Sequence, residues 1–100
     1  MFRLWITLKV GEEKENPCSR RGEETCTIKL ELSGKDLDKK DRTWIFWNQN
    51  EKFDEGISYN FGDIHPPKKA AYGDAKIIFR ITDEKGKKTY YSFEIPIEIR

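Results

Sequence analysis

The sequence predicts an all-β domain of six to seven short strands, packed as two antiparallel sheets. Three observations carry this. Apolar and polar residues alternate with period two over most of the chain. Turn-forming residues break that alternation at close intervals. No stretch shows helical periodicity. One hundred residues suit a single domain over 1–100.

The elements follow in order. Phe2 to Val10 alternates, with Phe2, Leu4, Ile6, Leu8 and Val10 on the face a strand would bury. Gly11 to Glu24 has no period, holds Pro17 and Gly22, and reads as a loop. Thr25 to Ser33 is the second strand, with Cys26, Ile28, Leu30 and Leu32 inward and Thr25, Thr27, Lys29 and Glu31 toward water. Gly34 to Arg42 is a charged turn. Thr43 to Trp47 is apolar on both faces, which predicts a central strand. Ile57, Tyr59 and Phe61 make a short fourth strand. Gly62 to Asp74 is a long connection, kept extended by Pro66-Pro67. Ala75 to Thr82 alternates again, and Asp83-Glu84-Lys85-Gly86 is a tight-turn signal. Tyr91, Phe93, Ile95, Ile97 and Ile99 line the inner face of the last strand, which should pair with the preceding one as a hairpin. Pro96 cannot donate to a ladder, so this strand is an edge or bulges there. A seventh strand has room in Gly11 to Glu24 or Asn48 to Gly56, and a small barrel is the alternative closure.

Charge excludes several classes of function. Lys and Arg number 19 against 18 Asp and Glu, a net +1. That balance provides no global field for nucleic acid or an anionic membrane. No apolar run approaches the ~18 residues of a membrane span, so no membrane insertion is expected. Arg3 and Lys9 interrupt the first strand, which therefore does not read as a signal peptide. The abundant Lys and Glu and the single Met would also suit an engineered or heat-adapted chain.

Tyr59-Asn60-Phe61-Gly62-Asp63, then Tyr72, then Ile77 to Thr82 with Asp83 and Gly86, resembles the PKD-type branch of immunoglobulin-like β-sandwiches. Ser33, Asp36 and Asp38 match that pattern more loosely. Asn60 stands where that family carries aspartate, and Ile64 replaces its closing glycine. Fibronectin type III domains are a second relative, with Tyr72 as candidate corner tyrosine. The resemblance implies an immunoglobulin-like sandwich and a module that binds or spaces other proteins. Together with a disulfide, it implies an extracellular or cell-surface setting.

No residue set forms a catalytic signature, and no cofactor is expected. His65 is the only histidine, in a proline-flanked loop with no partner nominated for acid–base work. Cys18 and Cys26 are the only cysteines. They form either a disulfide around a short loop or, at Cys26, a free core thiol. Asp36, Asp38 and Asp41 have oxygen ligands for calcium, but interleaved Lys35, Lys39, Lys40 and Arg42 make a solvated turn the better reading. Gly86-Lys87-Lys88-Thr89 lacks the earlier glycine and the following helix of a phosphate-binding loop.

The aromatics are more informative. If Phe2, Leu4 and Ile6 and also Ile77, Phe79 and Ile81 face the core, Trp5 and Ile78 face outward, and Tyr90 likewise opposes the buried Tyr91 and Phe93. Strict alternation sends either Trp44 with Phe46 or Ile45 with Trp47 out as well. The expected function is therefore a non-catalytic binding or spacer module with a protein partner, engaged through an aromatic sheet face or an edge strand. Trp5, Trp44, Phe46, Ile78 and Tyr90 are the candidate contacts. The alternative is an inhibitor or immunity-type protein that docks Ile64-His65-Pro66-Pro67 into an enzyme, its prolines limiting the entropy lost.

Overall fold

The computed structural model describes residues 2–7 by their backbone, and residues 18, 22–52 and 58–100 in full. The described residues contain six strands: β1 (Phe2–Thr7), β2 (Cys26–Lys35), β3 (Asp41–Glu51), β4 (Ser58–Ile64), β5 (Gly73–Thr82) and β6 (Thr89–Ile99). The described residues contain no helix. The strands form an antiparallel four-stranded sheet in the order β3-β2-β5-β6 and a two-stranded ribbon, β1-β4. The expected inward positions Leu8, Val10 and Ile57, and most of the Gly11 to Glu24 loop, lie outside the described residues.

Period-two alternation builds one apolar face on the four-stranded sheet. Ile28, Leu30 and Leu32 of β2 stand opposite Ile81, Phe79 and Ile77 of β5. Tyr91, Phe93 and Ile95 of β6 stand opposite the same three β5 residues. Opposed residues share a face, so these rows form one surface. Phe79 is fully buried at its centre. The ribbon lies on this surface through β4: ring centroids of Tyr59 and Phe61 are 6.1 and 5.8 Å from that of Phe79, and Phe61 meets Trp47 edge-on at 5.1 Å. Phe93 completes the cluster, 5.3 Å from Phe79. Offset and edge-to-face aromatic packing of this kind adds to plain burial.

Two local features bend the strands. In β4, Phe61 is the extra residue where pairing with β1 steps from Leu4–Gly62 to Trp5–Asn60. The Asn60 Oδ1 accepts the Gly62 N–H at 2.8 Å, and Gly62 takes φ +70°, so the family-like motif is spent on a bulge. In β3, pairing steps from Leu30–Trp47 to Glu31–Ile45, leaving Phe46 as the extra residue.

The turns satisfy their own polar groups. The buried Asp36 Oδ1 accepts the amides of Asp38 and Lys40 at 2.9 Å, while Oδ2 accepts Arg42 Nε at 2.9 Å. The connection from β4 to β5 then docks on this turn. Lys69 O accepts the Leu37 N–H at 3.0 Å, and Lys35 O accepts the Ala71 N–H at 2.8 Å. In the β5–β6 hairpin, Gly86 adopts φ +70° and Asp83 Oδ1 accepts the Lys87 amide at 2.7 Å. That hairpin is the one the turn signal predicts, and among the described residues Pro96 lies on an edge strand, the first of the two expected placements.

Three expectations need correction. Among the described residues the aromatic strand β3 lies at an edge of its sheet rather than between two strands; its bulge gathers the rings toward one side. Thr27 and Glu31 are buried rather than solvated. Both sit on β2, between two strands whose long side chains close over them: Thr27 donates to Asn50 Oδ1 at 2.6 Å, and Arg80 reaches Glu31 at 3.5 Å. Tyr72 is 79% exposed and does not fill a corner.

Candidate protein-contact edge

The β3 edge is built from residues 41–51. Trp44 stands opposite Leu32 and Trp47 opposite Leu30, so both indoles face the apolar surface, half-buried. Gly34 lies beside the first, but its close neighbour is Ala75. A Cβ on Gly34 would lie 3.9 Å from Trp44 Cζ3 and only 3.1 Å from Ala75 Cβ. Phe46, at the bulge, also packs against the core. Ile45 alone turns away, 54% exposed. Strict alternation required one of two pairs to leave the core; the bulge sends out neither, because it shifts the phase between Ile45 and Trp47.

Of the remaining candidates, the described side chains of Ile78 and Tyr90 do not assemble with β3. Ile78 occupies the outer face as its register requires, yet it is only 4% exposed. Glu31 and Glu94 flank it on the neighbouring strands, and their partners Arg80 and Lys76 roof that face with charge. An isoleucine so covered contributes little contact area. Tyr90 is half-buried beside the β5–β6 hairpin, with Lys88 Nζ 5.3 Å from its ring centroid. Desolvation, then the nearby Asp83 and Glu24 carboxylates, push its phenol above the usual range. The side chain of Trp5 lies outside the described residues. Among the described side chains, Trp44, Phe46, Ile78 and Tyr90 do not join into one outward patch.

The four residues of the expected wedge differ in burial. Ile64 is buried in the core, Pro66 and Pro67 are half-buried, and only His65 is exposed. Cys18 and Cys26 lie at disulfide distance, with Cα atoms 5.6 Å apart and both side chains buried. Asp36 is committed to two amides and Arg42, and Asp41 accepts Lys35 Nζ at 2.8 Å. Hydrogen bonding from the Arg42 guanidinium holds the Asp36 carboxyl below the ordinary aspartate range, and the Lys40 amide adds to this. Among the described residues, no three His, Cys, Asp or Glu side chains gather as a metal donor set. No described helix is long and apolar enough to cross a membrane.

What sets β3 apart is its composition and its position together. Thr43 to Asn50 reads Thr-Trp-Ile-Phe-Trp-Asn-Gln-Asn, with no charge, proline or glycine, in a chain that is 37% charged. Among the described residues, no strand pairs with its free side. The other edge, β6, carries Pro96 and Glu94 and Glu98. Charge and proline are how natural sheets discourage edge pairing. β6 has both; the middle of β3 has neither. Sequence reasoning found the aromatic segment but missed the edge, because the strand order is set by partners distant in the chain. No protein-family model, curated protein or solved structure matches this chain.

Proposed function

We propose that the chain is a non-catalytic binding module with an immunoglobulin-like sandwich build, which engages its partner by adding a strand to the β3 edge. The strand order supports the build. In chain order β1 to β6 take the places of strands B, C, C′, E, F and G: the order β3-β2-β5-β6 corresponds to C′-C-F-G, and β1-β4 to B-E. The ribbon packed over Phe79 is the second layer of that arrangement. A PKD-type or fibronectin-type relationship and an extracellular or cell-surface setting accord with it, as does the paired Cys18 and Cys26.

The observation that carries the function is the uncharged segment Thr43 to Asn50 on an edge that no described strand pairs with, opposite an edge closed by proline and glutamate. Strand addition draws affinity from main-chain hydrogen bonds and specificity from alternate side chains. Here the partner's inward residues would meet Trp44 and Trp47, and its outward residues Ile45.

Selection from a displayed library of extended peptides tests this, read by amide exchange. Selected peptides should protect β3 amides and lose about tenfold in affinity against Ile45→Lys, which leaves the fold intact. Peptides that protect β6 or the 65–72 connection instead, or that ignore Ile45→Lys, overturn the assignment.

A further inference from the structure

We infer that the strand added to β3 is β3 of a second copy of this chain, paired antiparallel about a two-fold axis at Trp47. This rests on the edge-binding reading above and names its partner.

Symmetry and charge both point to this register. A two-fold axis that pairs two identical antiparallel strands runs perpendicular to the sheet, so each residue must meet a partner on its own face. In an unbulged strand, Arg42 and Glu51 would lie on opposite faces, nine positions apart. The extra residue Phe46 changes that. Gly34–Arg42, Leu32–Trp44, Leu30–Trp47, Ile28–Gln49 and Cys26–Glu51 all fall on the apolar-face row. Thr43, Ile45, Asn48 and Asn50 form the other row.

With the axis at Trp47, Arg42 of one copy meets Glu51 of the other on the apolar-face row, and Trp44 meets Gln49. On the opposite row Thr43 meets Asn50 and Ile45 meets Asn48. Asp41 meets Lys52, one residue past the strand. Every charge at the two ends of the segment finds its opposite, and symmetry repeats each pair. The arms 41–45 and 48–52 carry the ladder on either side of the bulge.

Neighbouring registers lose this. Moving the axis to Ile45 sets Arg42 against Gln49 and Asp41 against Asn50. Moving it to Asn48 sets Glu51 against Trp44 and Lys52 against Thr43. Exposed ion pairs contribute little energy each, so their role is to select the register. The attraction comes from ladder hydrogen bonds and the rings they bring together.

Sedimentation equilibrium of the full chain, from micromolar to about millimolar, is the test. The expected result is a monomer–dimer equilibrium. Lys52→Glu, at an exposed position, should weaken it about tenfold by opposing Asp41. The triple variant Lys35→Asp, Asp41→Lys and Lys52→Glu, which keeps an opposite-charge pair at 35 and 41 within the chain, should return to within about threefold of the parent. Thr43→Cys with Asn50→Cys should cross-link between copies under oxidation, whereas Thr43→Cys with Asn48→Cys should not. Thermal melts establish that each variant is folded. A chain that stays monomeric to millimolar concentration, a dimer indifferent to Lys52→Glu, or preferential 43–48 cross-linking overturns the self-pairing. In the first case, selected peptides that still protect β3 leave the edge reading standing, so the two failures are distinguishable.

Discussion

Trp44 and Trp47 lie on the same face of β3 although they are three residues apart, opposite Leu32 and Leu30 respectively. In a regular strand that spacing puts two side chains on opposite faces. The residue that breaks the rule is Phe46, left without a partner of its own on β2. One bulge thus delivers two indoles to the core side and exposes Ile45, in a segment that alternation alone would have split evenly.

A contrast between neighbours follows from that placement. Trp47→Ala removes an edge-on contact with Phe61 and should lower stability by about 2 kcal/mol, given a half-buried ring. Ile45→Ala, at an exposed site, should change stability by no more than about 0.5 kcal/mol. Urea denaturation of the two variants checks this. Equal losses would mean that the bulge does not set the phase of the strand.

Phe79 is the deepest ring and touches Tyr59, Phe61 and Phe93. Phe79→Ala should therefore cost about 3–5 kcal/mol, because three rigid rings cannot collapse into the space it leaves. It should also expose the ribbon, so β4 amides should exchange faster than in Trp47→Ala.

Gly34 is held small by Ala75. Gly34→Val would press its Cβ to 3.1 Å from that of Ala75, and overpacking of this kind costs about 1–3 kcal/mol. Adding Ala75→Gly should recover part of the loss. If the double variant is no better than the single one, crowding at Ala75 is not the cause.

The Asp36 turn should show a defined pH dependence. Its folded carboxyl titrates below the ordinary aspartate value, chiefly through Arg42. The stabilisation is then complete above the unfolded-state range and is lost as pH falls through the folded value. Thermal melts should show Asp36→Asn less stable than the parent at pH 7, with the gap closing toward pH 2. A gap constant with pH would show that the charge does not hold the turn.

The cysteine pair predicts a redox effect. Unreduced, denatured chain should take up no alkylating agent, and two equivalents after reduction. With Cys18 and Cys26 a sequence separation of 8 apart, a bond closing so short a loop should contribute roughly 2–3 kcal/mol. Urea melts with and without reductant measure it.

Much of the fold was legible before any coordinate. The runs Cys26 to Leu32, Ile77 to Ile81 and Tyr91 to Ile99 have period-two patterns long enough to fix both strand and buried face. Asp83 to Gly86 and Pro96 carry local backbone chemistry that reads without context. The candidate site was legible only in composition. Ile78 looked available because its outward phase is a property of its own strand, whereas its burial depends on Glu31 and Glu94 across the sheet. Ile64 looked like a loop tip, yet β4 runs through it to the core.

The division has a physical basis. Side-chain alternation and turn conformations are set within a few residues, so the chain by itself determined an all-β protein, its main strands and its closing hairpin. Which strand lies at an edge depends on pairing between segments far apart, such as β2 with β5, and on one unpaired residue at Phe46. Only the tertiary structure decided that the uncharged aromatic segment lies at the edge of the described sheet with its indoles turned inward, because non-local hydrogen bonding, not local preference, sets strand order and phase.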